Sequence, residues 1–396
     1  MIKRRQFLKF SAAGLVLSQT VANPMNIAMA AAPTQKRLIT IILRGGLDGL
    51  AAVPPLGDPN YKGARHKMAL SNGQNLDGYF ALHPSLSALY PFYQKGEMTI
   101  FHAIASPYRS RSHFDAQNLL ENGTNRANGA HDGWLNRALS LYPSAQNSSG
   151  IAIGQQIPFI LSGTSDVTSW APAQSAPVSD DIYMQIQRMY DTDPQMHQAL
   201  TKGMATHDMA DMALSNMDQT GGGARKSQIQ QIKAMAKLLR EDKGARFATM
   251  EVGGWDTHAQ QGLEQGKLAN QFKQLADGIT LLAKELAPIW QDCCIQIVSE
   301  FGRTVASNGT GGTDHGTAGI MILIGGGVKG GKVISDWPGL AKNQLYEGRD
   351  LFPTMDIRSV FKASLTDHMG LPLADINRSI FPQSSSAKKI NRLFKA

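Results

Sequence analysis

The sequence LITIILRGGLDG, residues 38–49, joins a run of apolar and β-branched residues to a glycine-rich loop. A continuous run of this kind is typical of a strand that is covered on both faces. The glycines at positions 45 and 46 allow the backbone to turn sharply, and Asp48 follows them. This stretch predicts a central strand of an α/β sheet with an acidic residue just beyond its carboxyl end.

Further strand and helix patterns alternate along the chain, which is the signature of a parallel sheet flanked by helices. The helix pattern at residues 268–289 has apolar residues spaced four and three apart, so one apolar face can lie on a sheet. The sequence therefore predicts an α/β fold with a mostly parallel central sheet. The other predicted strands are 98–104, 247–252, 293–299 and 319–324, and the other predicted helices are 85–94, 134–141 and 226–241.

Residues 155–225 differ from the rest of the chain. They are rich in Met, Gln, Ser and Ala, and their hydrophobic periodicity is weak. We expect an insertion or cap beside the main sheet, partly helical near residues 181–190 and 194–204. Its methionines are more typical of adaptable packing than of metal ligands.

The composition fits a globular protein with one large α/β domain or two smaller ones: 396 residues, 42% hydrophobic and 18% charged. Cys293 and Cys294 are adjacent, so a disulfide between them would close a strained ring, and we expect two buried thiols in a strand. The formal net charge is +8 and falls to +4 without the four basic residues of positions 1–30. No basic stripe is visible, which argues against nucleic acid as a partner.

The first 30 residues have the pattern of an export signal. Four basic residues lie within positions 3–9, an apolar run covers 10–21, and an A-x-A sequence ends at residue 30. The paired arginines indicate a twin-arginine signal, so we predict recognition by the twin-arginine export machinery and a periplasmic or secreted protein. An uncleaved anchor is the alternative. No later segment has about 18 consecutive apolar residues, so no stable membrane span is expected in the mature protein.

Acidic residues and histidines lie where the predicted strands end or begin. Ligands of open parallel sheets bind outside the carboxyl ends of the strands, so we expect these side chains to converge on one edge. Facing carboxylates repel one another, and a divalent cation removes that repulsion. Mixed oxygen and imidazole ligands suit Zn, Mn or a related ion better than calcium, although an Asp after a strand is often only a helix cap. The candidate ligands are Asp48, Asp256, His258, Glu300, Asp314 and His315.

Five motifs together resemble the DUF1501 family, a large group of exported bacterial proteins in the alkaline phosphatase/sulfatase-like superfamily. The resemblance covers residues 37–380, preceded by the signal at 1–30 and followed by a tail at 381–396. It implies a three-layer α/β/α sandwich of alkaline phosphatase-like type with one or two divalent ions (Zn, Mn or Mg). The motifs occupy residues 43–49, 111–115, 253–258, 299–304 and 312–316.

The plan of the superfamily implies which candidates bind the ions. It has an Asp after the first strand, which Asp48 resembles, and an Asp and a His on one late loop, which Asp256 and His258 resemble. An acidic residue and a histidine on the next two loops resemble Glu300 and His315.

The sequence departs from this plan in two places. The usual Asp-His pair after the penultimate motif strand is here Glu300-Phe301, so a full two-metal set is not implied, and Asp314-His315 is an alternative position for the pair. Residues 105–109 place alanine where the sulfatase signature needs Cys or Ser, which argues against a formylglycine sulfatase.

The resemblance also implies a nucleophile at a helix start, for which Ser112 is the best match. His113 would then move a proton to the leaving group, although Ser112 is explained equally well as a helix N-cap. Arg109 and Arg111 would bind the oxyanion of the substrate, and Arg303 would do likewise as a catalytic residue. Each of the three is also explained as an ordinary surface arginine.

Two functions follow as hypotheses. The first is an exported metal-dependent hydrolase of phosphate or sulfate esters, with a small anionic ester as its substrate. The alternative is a non-catalytic exported binding or assembly protein that reuses the fold, because a fold does not fix a function. The substrate, the metal and the oligomeric state are left open.

Overall fold

The computed structural model describes residues 35–142, 150–172, 186–187, 189–190, 192–214, 224–241 and 244–395. The signal predicted at residues 1–30 and most of the helix predicted at 181–190 lie outside these ranges. Among the helices in these ranges, none combines the length and the apolar character needed to cross a bilayer.

The strands of the described residues form one large sheet and one small ribbon. In chain order they are β1 (Arg37–Leu43), β2 (Gln74–Asn75), β3 (Ala81–Leu82), β4 (Met98–Ala105), β5 (Gly150–Ile153), β6 (Val167–Trp170), β7 (Phe247–Val252), β8 (Cys293–Val298), β9 (Gly319–Ile324), β10 (Lys332–Ile334) and β11 (Met355–Asp356). The large sheet has the order β10-β4-β9-β8-β1-β7-β5-β6, with β11 beside β4, and β2 pairs with β3. Its pairings are parallel except those of β9, which is antiparallel to β4 and β8. The mostly parallel central sheet is thereby confirmed.

The helices lie between these strands. In chain order they are α1 (Gly49–Ala52), α2 (Tyr61–Arg65), α3 (Tyr90–Gln94), α4 (His113–Asn122), α5 (Trp134–Leu141), α6 (Pro194–Leu214), α7 (Ala224–Arg240), α8 (Lys267–Glu285), α9 (Arg358–Ala363) and α10 (Leu373–Asp375). Short 3-10 segments cover His66–Met68, Pro84–Leu89, Phe159–Leu161, Ala287–Asp292 and Lys342–Gln344, and π-helical turns cover Ser364–His368 and Ile376–Ile380.

Most of the predicted elements are confirmed. The strands predicted at 247–252 and 319–324 coincide with β7 and β9, and the helix predicted at 134–141 coincides with α5. The prediction of one helix over 85–94 is wrong in detail, because the segment is a 3-10 stretch followed by the short α3. Pro84 and Pro91 stand at the starts of these two pieces, where their missing N–H groups interrupt no helical hydrogen bond.

The two faces of the sheet carry separate hydrophobic cores. Ile39 and Ile41 of β1 pack with α7 and α8, whereas Leu38 and Ile42 pack with α5 and α9 on the opposite face. Successive residues of a strand point to opposite faces, so one continuous apolar run supplies both cores. The result is the three-layer α/β/α arrangement.

The reversed direction of β9 decides where residues 299–318 lie. Because β8 and β9 are antiparallel neighbours, β8 ends and β9 begins at the same edge of the sheet. β1 and β7 run parallel to β8 and end at that edge too. This edge is termed the rim, and the whole connection from β8 to β9 starts and finishes there.

Two regions that the sequence set apart belong to the domain. β6, within the predicted insertion at 155–225, is an edge strand of the large sheet. The helix predicted at 194–204 is confirmed and extends further, to the end of α6. In the predicted tail at 381–396, Phe381 and Leu393 are buried in the core beneath α5 and α9.

Candidate metal centre

Three histidines surround the Asp256 carboxylate at the rim. His258 Nε2 lies 3.0 Å and His315 Nε2 lies 3.4 Å from Asp256 Oδ1, and His113 Nε2 lies 3.5 Å from Asp256 Oδ2. The Nε2 atoms of His258 and His315 are 2.9 Å apart. These four residues form the candidate metal centre, which is called the metal centre below.

Separate segments carry these four side chains to the rim. His113 is the first residue of α4, Asp256 and His258 follow β7, and His315 lies just before β9. Gly45, in the loop after β1, has a φ of +123°, and a Cβ atom there would lie 2.3 Å from the Asp256 nitrogen. Glycine at this position therefore lets the loop after β1 lie directly against the loop after β7.

Each imidazole of the centre is held through its Nδ1 atom. An acceptor at Nδ1 keeps the proton on that nitrogen and fixes the orientation of the ring. All three Nε2 lone pairs then point towards Asp256. The pairs are His113 Nδ1 with Glu300 Oε1 at 2.8 Å, His258 Nδ1 with Asp314 Oδ1 at 3.0 Å, and His315 Nδ1 with the Arg111 carbonyl oxygen at 2.9 Å.

This arrangement fits a divalent cation. Two nitrogen lone pairs 2.9 Å apart repel each other unless a positive charge lies between them, and the buried His113 Nε2 has no hydrogen-bond partner among the described residues. A tetrahedral ion with bonds of about 2.05 Å holds its ligand atoms about 3.3 Å apart. The four distances given above, 2.9 to 3.5 Å, surround that value, and the ligand atoms of His113, Asp256 and His315 all lie within 4.8 Å of one another. Three nitrogens and one oxygen are donors that suit zinc better than magnesium.

Glu300, a predicted ligand, lies behind His113. Its buried carboxylate accepts hydrogen bonds from His113 Nδ1, from Gln117 Nε2 at 3.0 Å and from the Gly45 nitrogen at 2.9 Å. Burial alone would raise its pKa, but these donors outweigh burial and lower the pKa of Glu300 to about 2. The same contact with Glu300 is the main cause that raises the pKa of His113. Glu300 therefore positions an imidazole as an ionised acceptor.

Asp314, another predicted ligand, has the same relation to His258. Its Oδ1 atom accepts from His258 Nδ1 and from Asn308 Nδ2, both at 3.0 Å. The hydrogen bond from Asn308 is the main cause that lowers the pKa of Asp314. The adjacent His315 differs, because burial lowers its pKa.

Arg303 is buried beneath the centre. Its Nη1 atom donates to Asp256 Oδ1 at 2.6 Å and to the Gly45 carbonyl at 3.1 Å, while Nε and Nη2 bond the side chain and the backbone of Thr313. Burial would raise the pKa of Asp256, but the hydrogen bond and charge of Arg303 outweigh it and lower that pKa. The guanidinium thus joins three loops, and the catalytic role expected for it stays a prediction.

Asp48 is placed apart from the imidazoles. Its carboxylate accepts from Arg65 Nη2 at 2.7 Å, from Gln261 Nε2 at 2.7 Å and from the Ala51 nitrogen at 3.1 Å. Arg65 is fully buried and Asp48 is 1% exposed. The guanidinium already supplies the positive charge that a metal would supply, so the geometry does not favour Asp48 as a ligand.

The remaining predicted residues lie around His113. Ser112 is the N-cap residue of α4, but its hydroxyl makes no capping hydrogen bond. Arg111 binds Asp350 Oδ2 at 2.7 Å and Glu347 Oε2 at 2.6 Å. Arg109 donates to backbone carbonyls of its own loop. Neither arginine points its guanidinium into the metal centre, and their substrate-binding roles stay predictions.

Several residues that shape the site were not found from the sequence. Gln117 lies one turn after His113 on α4, and that helical spacing alone would have placed both on one face. Arg65, Gln261 and Asn308 are neither acidic nor imidazole side chains, so the pattern of candidate ligands did not mark them, although Gln261 and Asn308 lie in the same loops as His258 and Asp314.

A family model described as "Protein of unknown function (DUF1501)" matches residues 83–377 of this chain. That span contains all four residues of the metal centre. No curated protein matches the chain.

Among solved structures, the chain is similar to the C-terminal periplasmic domain of EcEptC from Escherichia coli in complex with Zn. The identity is 10%, the TM-score is 0.42, and 93% of this chain and 91% of that chain are covered. It is also similar to the PsFucS1 sulfatase from Pseudoalteromonas sp. (11%, TM-score 0.36, 92% and 72%) and to alkaline phosphatase from the Antarctic bacterium TAB5 (12%, TM-score 0.36, 76% and 94%). These similarities are distant, and none of the residue assignments above depends on them.

Proposed function

This chain belongs to the DUF1501 family, and from that premise we propose that it is an exported metal-dependent hydrolase of phosphate or sulfate esters. The metal would be one divalent cation, zinc or manganese, held by His113, Asp256, His258 and His315. A cation of this kind acts as a Lewis acid on an ester oxygen. Export by the twin-arginine route rests on residues 1–30 alone.

The observation that supports this proposal is the convergence of three Nε2 atoms on one carboxylate. Glu300 and Asp314 hold the protons on the Nδ1 atoms of His113 and His258, so the opposite nitrogens are available as ligands. Arg303 fixes Asp256 from below. Such paired support costs conformational freedom, and it is expected where a ligand set must be preorganised.

The count of one cation rests on the contrast with Asp48. A second ion near that carboxylate would have to displace the buried guanidinium of Arg65 and the amide of Gln261. Removing one partner from a buried ion pair costs about 3–5 kcal/mol. We therefore assign no second ion to this chain.

Ser112 is the proposed nucleophile. It directly precedes His113, and its hydroxyl is not used as a cap although it stands at the start of α4. The amides at the start of a helix favour an anionic group, which suits the oxygens of a phosphate or sulfate ester.

One observation favours the non-catalytic alternative. The chain itself supplies four ligands, and a zinc ion with four protein ligands is typical of structural sites, whereas catalytic zinc keeps an open position. A binding or assembly protein with a structural ion would show the same four residues. Turnover therefore has to be measured together with metal content.

The test combines elemental analysis of the purified mature protein with a panel of aryl phosphates and aryl sulfates after zinc, manganese or magnesium loading. We expect one ion per chain, turnover of at least one ester, and loss of both in Asp256→Asn. Asp277→Asn, an exposed change on α8, is the matched control and should retain both. One ion without turnover on the panel supports the non-catalytic alternative, and absence of a bound ion overturns the metal-dependent hydrolase.

A further inference from the structure

A cavity of about 700 Å³ lies beside the metal centre. Three segments form it: residues 59–66, which contain α2, the connection from β8 to β9, and residues 340–349. Its size is that of a small-molecule site. The metal centre does not account for this cavity.

The cavity and the centre share supporting residues. Asp314 lines the cavity and accepts the hydrogen bond of His258 Nδ1. Arg349 also lines it, and its Nη2 atom donates to the His315 carbonyl oxygen at 2.9 Å. The cavity therefore borders the carboxylate that holds the His258 imidazole and a guanidinium that holds the backbone of His315.

The walls of the cavity combine a rigid apolar floor with positive charge. Val305 and Leu340 belong to a buried hydrophobic cluster, so the floor does not collapse. His66, Lys342 and Arg349 line the same space.

Two of these basic side chains are uncommitted. Among the described residues, the Lys342 ammonium and the His66 imidazole have no ion-pair or hydrogen-bond partner. The lining carboxylate, Asp314, is already engaged by His258 and Asn308. Arg349 pairs with Asp350 Oδ1 at 3.3 Å, so the Lys342 ammonium is the lining cation that the described residues leave without a partner.

The backbone at His66 adds an independent sign of a built site. Its φ of 49° and ψ of −122° lie in a region that residues with a Cβ atom rarely occupy. Strain of this kind persists only where the surrounding structure holds it, and it is concentrated at binding sites. Here it occurs at a residue that lines the cavity.

We infer that this cavity binds the leaving-group part of the substrate and selects leaving groups that carry a second anionic group, such as a carboxylate. This inference rests on the proposed function. The ester would lie at the metal centre, the body of the leaving group would contact Val305 and Leu340, and its anion would pair with Lys342 and Arg349. No covalent step beyond the ester hydrolysis is involved.

The test uses a matched pair of esters, phenyl phosphate and 4-carboxyphenyl phosphate, or the two sulfates if the panel shows sulfatase activity. For the metal-loaded protein we expect KM to be at least fivefold lower for the carboxylated ester. Lys342→Glu should abolish that preference, so that KM becomes equal for the two esters to within twofold. Lys95→Glu, an exposed lysine before β4 at the opposite edge of the sheet, should leave the preference intact.

A binding measurement separates this inference from the proposed function. Titration calorimetry with 4-hydroxybenzoate, and with phenol as reference, needs no turnover. We expect the carboxylated compound to bind the native protein and Asp256→Asn alike, and to lose at least fivefold affinity in Lys342→Glu and in the cavity-filling Ala341→Trp.

The outcomes are distinguishable. Binding of 4-hydroxybenzoate without hydrolysis of either ester supports the assignment of the cavity as an anion-binding site and overturns the proposed hydrolase activity. Hydrolysis with no preference between the esters, or a preference that Lys342→Glu leaves unchanged, overturns the cavity assignment and leaves the hydrolase standing.

Discussion

Asp48 and Asp256 follow neighbouring strands, β1 and β7, yet their surroundings are opposite. Asp48 is 1% exposed and faces the buried guanidinium of Arg65. The Asp256 side chain is 41% exposed and faces three imidazoles. Two carboxylates with the same sequence signal are therefore compensated in different ways, one by a permanent charge of the chain and one by groups that can bind an ion.

The two acids are also joined. Gln261 donates to Asp48, and its amide oxygen accepts from Thr313 at 2.8 Å, which in turn contacts Arg303 below Asp256. Hydrogen bonds in a buried network of this kind polarise and reinforce one another. The buried ion pair of Asp48 and Arg65, called the closed pair below, is thus connected through hydrogen bonds to the group that holds Asp256. The exposed Asp256 and its three imidazoles are called the open centre.

The largest expected effect concerns the closed pair. Arg65→Met leaves the Asp48 charge buried and unpaired, so the free energy of unfolding should fall by about 3–5 kcal/mol in urea denaturation. The double variant Arg65→Met, Asp48→Asn should recover most of that loss, because no charge is then stranded and the Asn oxygen still accepts from the Ala51 nitrogen. If the double variant loses its bound ion, Asp48 is a ligand and the contrast between the two acids fails.

Removing one imidazole tests the proposed ligand set around Asp256. A structural zinc site binds with about 10–16 kcal/mol, so each of four ligands contributes about 2.5–4 kcal/mol. His315→Ala should accordingly weaken zinc binding several hundredfold in competition with a chromophoric chelator. His131→Ala, an exposed histidine before α5, is the control and should change the affinity less than twofold. Equal affinities for both variants would remove His315 from the ligand set.

A pH experiment tests whether water reaches the buried region around Asp48, where His102 lies. His102 is fully buried below α1 with its Nε2 atom 3.0 Å from the Val53 carbonyl, and burial lowers the pKa of His102 to about 4. Between pH 6.5 and 4 the unfolded chain takes up a proton at this histidine and the folded chain does not, so stability falls as the pH falls. The expected loss is about 3 kcal/mol for this residue and is complete below pH 4.

The readout is the difference between the native protein and His102→Gln in urea denaturation from pH 7.5 to 4. His368 titrates in a similar way, and it cancels in the difference because both proteins retain it. A pH-independent difference would mean that His102 is hydrated. The surroundings of Asp48 would then be open to water, like those of Asp256.

The smallest expected effect comes from the acids behind the imidazoles. Asp314→Asn keeps an acceptor oxygen for His258 Nδ1 but removes its charge. Partners of metal-binding histidines typically change metal affinity by 10–100-fold, and the conservative change should lie near the lower limit. A tenfold loss in zinc affinity with unchanged stoichiometry would confirm Asp314 as a support, whereas loss of the ion would make it a ligand.

The fold was largely predictable because its strands are continuous apolar runs, and residues 38–43, 247–252 and 319–324 all became strands of the large sheet. The direction of β9 was not predictable, since an apolar run reads the same in either direction. The 3-10 segment at Pro84–Leu89 was predicted as part of an α-helix because its apolar pattern resembles that of an α-helix.

The site was predictable as a set of acids and histidines at one edge, because glycine-flanked polar residues followed the strands. How these residues pair depends on long-range contacts that no local pattern encodes. Arg65 is the clearest case, since nothing in its short helix indicates that its guanidinium would face Asp48. Glu300 is another, because only the helix that begins at His113 turns this carboxylate into a support for an imidazole.

The antiparallel direction of β9 also affects the order in which the contacts of the site form during folding. Arg303 and Thr313 are ten residues apart, so their contact forms with a short loop, whereas the contact of Arg111 with His315 closes a loop of 204 residues. Loop-closure entropy makes the longer closure costlier by roughly 2.5 kcal/mol. We therefore expect the hairpin that carries His315 to form early. The contact that brings His113 to the rim forms later and completes the ligand set, so the ion should bind only to the fully folded domain.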